Sequence, residues 1–141
     1  MSLVAWSDKL SVHVPTIDAQ HKTLIALLNE LHEAMKLGKA NEVTADILAR
    51  LLNYTHEHFA TEEQLMQRSA YPNYPQHKAL HEALIKQALD IQTQIQAGKL
   101  SATLKLSTFL KDWLVQHIQS ADLAFGTFLS AKGSHRLAAA S

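Results

Sequence analysis

Residues 58–62 read HFATE and residues 77–81 read HKALH. Each run sets two metal-binding side chains four positions apart. On an α-helix that spacing is one turn with an angular offset of about 40°. His58 and Glu62 therefore share a face, and so do His77 and His81. The surrounding residues say which way those faces point. Ile47, Leu51 and Tyr54 continue the His58 face at helical spacing, Leu80 and Leu84 flank the His77/His81 stripe, and Leu114 lies three residues before His117. The histidines thus lie along apolar stripes directed at a core. A polar group placed there costs several kcal/mol unless something satisfies it, and a metal ion satisfies several at once.

Gly and Pro are scarce and punctuate the chain. A first helix is predicted over 16–37, with Leu24, Leu27, Leu28, Leu31 and Met35 at helical spacing and Gly38 as its C-terminal cap. Asn41 caps a second, running to Arg68. The sequence YPNYP at 71–75 cannot continue a helix, and Pro75 suits the first turn of a third, which runs to Gln96. Ser101 caps a fourth over 102–120, with a helical extension to Leu129. No alternating strand pattern and no solenoid repeat competes. The reading is all-α: an antiparallel up-down-up-down four-helix bundle with a short N-terminal arm and a C-terminal extension. One domain spans 1–131. Residues 132–141 form a disordered tail without pattern.

Bulk properties exclude several classes. Thirteen basic residues balance thirteen acidic ones, so nothing draws the chain to nucleic acid or an anionic membrane surface. No apolar run is long enough to span a bilayer, and MSLVAWSDKL has no signal-peptide pattern. The absence of cysteine excludes disulfides, thiolate zinc sites and cysteine-bound clusters, and fits a cytoplasmic location. Nothing in the composition marks an obligate interface, so a monomer is expected.

The nine histidines carry the chemistry. In an antiparallel bundle the start of helix one (His21), the end of helix two (His58, Glu62), the start of helix three (His77, His81) and the end of helix four (His117) meet at one pole. His13, His56 and His135 fit no shared face and read as solvated. His32 shares the His21 face but lies roughly 16 Å further along the axis, so it reads as a core or boundary residue. Asp122 is awkward. It lies five residues after His117, about 140° round a regular helix, and can join the others only if the fourth helix distorts or ends between them.

The segments IDAQHKTL (17–24), HFATEEQLM (58–66), YPNYPQHKALHE (71–82) and WLVQHIQSAD (113–122), with Trp6, together resemble the hemerythrin family over about residues 6–129. The single-domain length is similar to that of the bacterial members. The resemblance implies a non-haem di-iron cofactor. His77, His81 and His117 would hold one iron, and His21 and His58 the other. Glu62 and Asp122 would bridge both, with an oxo or hydroxo group. Glu63 lies about 100° off the Glu62 face, which leaves Glu62 as the better ligand. The count gives six ligands on the first iron and five on the second, so O2 would bind end-on at the position left on the iron of His21 and His58.

Imidazoles outnumber carboxylates, unlike the carboxylate-rich sets of ferritin-like di-iron bundles. That favours reversible O2 storage, transport or delivery to an oxygen-consuming enzyme over catalysis. A peroxidase, nitric oxide reductase or oxygenase on the same centre, or a sensing or iron-buffering role, are the alternatives. Seven ligands exceed what a tetrahedral zinc site uses. A dry O2 pocket is expected from Leu24, Ile25, Phe59, Trp113, Leu114 and Ile118, all beside ligands. One departure from the family pattern stands out: Asp122 is followed by Leu123, Ala124 and Phe125, where a Tyr is usual.

Overall fold

The computed structural model describes residues 4–38, 41–97 and 100–131, with the side chains of 41–42 and 100–105 outside the description. The expected Asn41 cap, His135 and the 132–141 tail lie outside it. Four helices carry the fold: α1 (Pro15–Lys36), α2 (Asn41–Arg68), α3 (Tyr74–Gln96) and α4 (Leu100–His117). α4 passes through a π-turn at Ile118–Asp122 into α5 (Leu123–Ala131). Each helix packs on its sequence neighbours, and α1 closes the ring against α4. The short connections force each reversal, giving the four-helix bundle that the periodicity implies. Among the described residues, no helix is long and apolar enough to cross a membrane.

The helix ends follow local chemistry. Gly38, at φ +65°, occupies the left-handed position past α1, and its amide donates to the Met35 carbonyl. α2 ends in a Schellman arrangement: Tyr71 N–H donates to Met66 and Ala70 N–H to Gln67. Ala70 takes the left-handed position, φ 56°, that glycine usually fills. Pro75 sits in the first turn of α3, where its missing N–H costs nothing. α4 starts at Leu100, so Ser101 is its second residue and not its cap.

The arm is tied down by polar side chains whose roles are not visible in the periodicity. Asn29 exchanges two hydrogen bonds with the Val4 backbone, at 2.9 and 2.8 Å. Asp18, in the first turn of α1, accepts from the Ser11 hydroxyl at 2.7 Å and the Val12 amide at 2.9 Å. Val12 and Val14 are buried. The Val12 carbonyl lies against Gly126 of α5, so close that a Cβ there would overlap it. Arm, α1 and α5 are thereby locked together.

The core runs the length of the bundle through Leu24, Leu28, Leu31, Ile47, Leu48, Leu51, Leu84, Leu106 and Leu110. Leu80 departs from the expected flanking role. It is 46% exposed, because its position one residue before His81 turns it toward solvent.

Candidate metal centre

Seven buried side chains converge at the pole where α1 and α3 begin and α2 and α4 end: His21, His58, Glu62, His77, His81, His117 and Asp122. The π-turn brings in the last. It is closed by a bond from the Leu123 amide to the Ile118 carbonyl, five residues back. The wider turn advances less per residue than an α-helix. It swings Asp122 back toward His117, so that Asp122 Oδ1 lies 3.0 Å from His117 Nε2. The Ser120 hydroxyl takes up the Gln116 carbonyl at 2.6 Å, a back-bond that favours bending. The fourth helix thus distorts where the Asp122 spacing requires it.

The donor atoms fall into two sets. In the first, Glu62 Oε1 lies 2.9 Å from His77 Nε2 and 3.2 Å from His81 Nε2. Asp122 Oδ1 lies 3.0 Å from the Nε2 atoms of His77 and His117. His117 Nε2 is 3.1 Å from that of His77 and 3.2 Å from that of His81. In the second set, Asp122 Oδ2 is 2.9 Å from His21 Nε2, and Glu62 Oε2 is 3.2 Å from His58 Nε2. Each carboxylate therefore turns one oxygen to each set.

These spacings fit metal ions. Bonds of about 2.1 Å at right angles place neighbouring donors about 3.0 Å apart, and opposed donors about 4.2 Å apart. The contacts of the first set match the neighbouring value. His81 with Asp122, and His117 with Glu62, make no contact within 4.0 Å, although all five donors lie within 4.8 Å of one another. Those two pairs have the separation of donors on opposite sides of one ion. Both Glu62 oxygens, both Asp122 oxygens and His21 Nε2 are buried without a hydrogen-bond partner. Their close approaches to imidazoles are not aligned as hydrogen bonds, so the donors aim at shared points between them. Such orphaned groups in a core call for an ion.

The electrostatics agree. Burial alone would lower the His77 pKa, but the adjacent Asp122 and Glu62 carboxylates outweigh it and raise the group to about 9. Burial would likewise lower His58, and the Glu62 charge raises it instead. Burial opposes ionisation of Glu62 and Asp122. Contacts with His58, His77 and His81 for the former, and with His117 and His21 for the latter, hold both well below the usual carboxylate range. The site keeps its anions and demands positive charge.

Neighbours fix the rings. Gln20 Oε1 lies 2.7 Å from His58 Nδ1, and Glu63 Oε2 lies 2.9 Å from His81 Nδ1. These acceptors place the proton on Nδ1 and leave Nε2 free to coordinate. Phe59 stacks on His81 at 3.7 Å and Trp113 on His117 at 4.2 Å. The sequence hints at none of these partnerships beyond adjacency to a ligand, because three of the four join different helices.

An apolar cavity of about 30 Å³ lies on the other side of those aromatic rings. Leu24, Phe59, Trp113 and Leu114 line it, with Leu51, Leu84 and Leu110. Its one hydroxyl, on Thr55, is committed to the Leu51 carbonyl at 2.7 Å. Ile25 and Ile118 are buried in the core but do not line the cavity. His13 and His56 are exposed and His32 is half-buried, all away from the cluster. Phe125 is fully buried and packs its ring 4.9 Å from Tyr71.

Fold and site together define a class: a four-helix bundle with a buried, histidine-rich cluster able to hold two metal ions. The model of the hemerythrin HHE cation-binding domain matches residues 12–129. The chain belongs to the hemerythrin family. It is 34% identical to a bacteriohemerythrin of Stenotrophomonas maltophilia, over 93% of this chain and 84% of that one. The bacteriohemerythrin of Methylococcus capsulatus is also 34% identical, over 93% of this chain and all of its own. A myohemerythrin of Sipunculus nudus is 30% identical over 85% of this chain and 88% of its own. A solved wild-type hemerythrin superposes with TM-score 0.82 at 32% identity, covering 92% of this chain and 99% of that one. O2 binding at a non-haem di-iron centre is the function of this chain, carried by its family and by the cluster.

Proposed function

We propose that His77, His81 and His117 hold one iron and His21 and His58 the other, with Glu62 and Asp122 bridging the two. The single observation that supports this best is the split of each carboxylate, one oxygen to each set of imidazoles. When bound, the iron pair would supply two electrons, and the second ion, with four protein donors for six positions, would leave room for a solvent bridge and for O2. All else is the work of the chain. Two anions offset part of the metal charge, and five neutral imidazoles add none. Phe59 and Trp113 clamp His81 and His117 by stacking. Leu24, Leu114 and the rest of the apolar cavity keep water and its protons from the site.

The chain acts as a carrier and not as an enzyme, working as a monomer in the cytoplasm and supplying an oxygen-consuming partner. Among the described residues the large exposed hydrophobics are Leu37, Val43, Leu80 and Leu89, of which the last two lie nine positions apart on α3. Iron analysis and O2 titration of the reduced protein test the reading. About two irons per chain and a charge-transfer spectrum that returns to baseline under vacuum are expected. Turnover of O2 with a reductant would overturn carriage, and a colourless protein after iron reconstitution would overturn the centre itself.

A further inference from the structure

The two proposed iron subsites differ in the charge that lies behind their imidazoles. Behind His81 stands a carboxylate, Glu63, 2.9 Å from Nδ1. Behind His58 stands a neutral amide, Gln20, 2.7 Å from Nδ1. The Gln20 orientation is set by its own amide nitrogen, which donates to the Thr61 hydroxyl at 3.4 Å. Its oxygen is therefore the atom facing His58. Glu63 is partly exposed, with 21% of its side chain open to solvent, whereas His81 is buried. Its carboxylate thus reaches the buried ring from the solvent side.

We infer that Glu63 and Gln20 are positioning residues that make the two irons electronically unequal, with Glu63 rendering the iron of His77, His81 and His117 the easier one to oxidise. A carboxylate accepting from Nδ1–H draws the proton toward itself and increases the electron density at Nε2. The metal on that nitrogen is then better stabilised in its higher charge state. An amide accepts the same hydrogen bond with no net charge, so the iron of His58 gains no such stabilisation of its higher charge state and keeps the higher potential. This builds a direction into the pair: electron density is raised at the subsite with more imidazoles and spared at the subsite with room for O2. The inference rests on the di-iron reading above, and its test separates the two.

Successive one-electron potentials of the iron-loaded protein, together with cobalt(II) titration of the iron-free protein, provide that test. Wild type should bind two cobalt ions per chain in two resolved steps, and fewer than two would overturn the di-metal reading itself. Glu63→Gln keeps the hydrogen bond and removes the charge. It should raise the lower of the two potentials, leave the upper one in place, and weaken one cobalt step roughly tenfold. Gln20→Glu should lower the upper potential and narrow the gap from the other side. Two cobalt ions bound with unchanged potentials in both variants, or equal shifts of both potentials in either, would overturn the inference while leaving the di-metal site intact. Melting temperature and helical content of each variant, matched to wild type, exclude a folding defect as the cause of any shift.

Discussion

The two halves of the bundle are stabilised by opposite means. Away from the metal pole, Leu28, Leu31, Leu48 and Leu106 are at most 1% exposed and carry no polar atoms that need a partner. That half gains stability from burial alone, at about 1.5–3 kcal/mol per large side chain. At the pole, seven polar or charged side chains occupy the same kind of position. Their burial is a cost until ions arrive. The comparison teaches that fold and function are separable along the axis. The apolar half specifies the bundle, and the pole spends part of that stability to hold donors in place before the metal binds.

The largest expected effect comes from taking the metal away. Removing iron with a chelator should lower stability by about 4 kcal/mol, the linkage expected for a ligand at a thousandfold excess over its dissociation constant. That corresponds to roughly 10–15 °C in thermal midpoint for a domain of this size. Hydrogen exchange should quicken at the ends of α2 and α4 and much less around Leu48. Indistinguishable melting curves with and without iron would break the contrast.

The converse change lies in the apolar half. Leu48→Ala should cost about 3 kcal/mol, in the usual range for a buried leucine. The same loss should appear in the metal-free and iron-loaded proteins, and iron content should stay unchanged. A penalty that differs by more than about 0.5 kcal/mol between the two forms would mean that the halves are coupled.

A third effect is a pH dependence confined to the pole. In the metal-free protein His77 is raised to about 9 and His58 is raised as well. A raised histidine contributes stability that is complete below its unfolded pKa of about 6.5 and is lost as pH climbs through the folded value. Glu62 and Asp122 are depressed, so their contribution holds above the ordinary carboxylate range and fades as pH falls. Urea unfolding of the metal-free protein should therefore show stability falling between about pH 6.5 and 9. Iron-loaded protein, in which the proposed ligation would hold these imidazoles neutral, should lack that decline. Parallel alkaline limbs in the two forms would count against the assignment.

Much of this was legible in the sequence because it depends on spacing within one helix. His58 with Glu62 and His77 with His81 need only the α-helical repeat, and Pro75 and Gly38 mark their boundaries locally. The five-residue gap from His117 to Asp122 even announced that the helix must deform, though not that it would do so as a π-turn. What stayed hidden depends on contacts between elements. Glu63 meets His81, Gln20 meets His58, and Asp18 reaches back to Ser11 and Val12, and no periodicity encodes such pairings. The cavity lining likewise could not be read from adjacency to ligands, because Ile25 and Ile118 point into packed core.

The π-turn has a consequence for anyone transplanting this centre. A straight helix aligned on His117 would present Ala121, not Asp122, to the same side. The bend acts like a single inserted residue, after which the last segment is read in a shifted frame. A graft that copies the seven residue identities onto an ideal bundle will aim one carboxylate at the wrong neighbour unless the surplus residue travels with it.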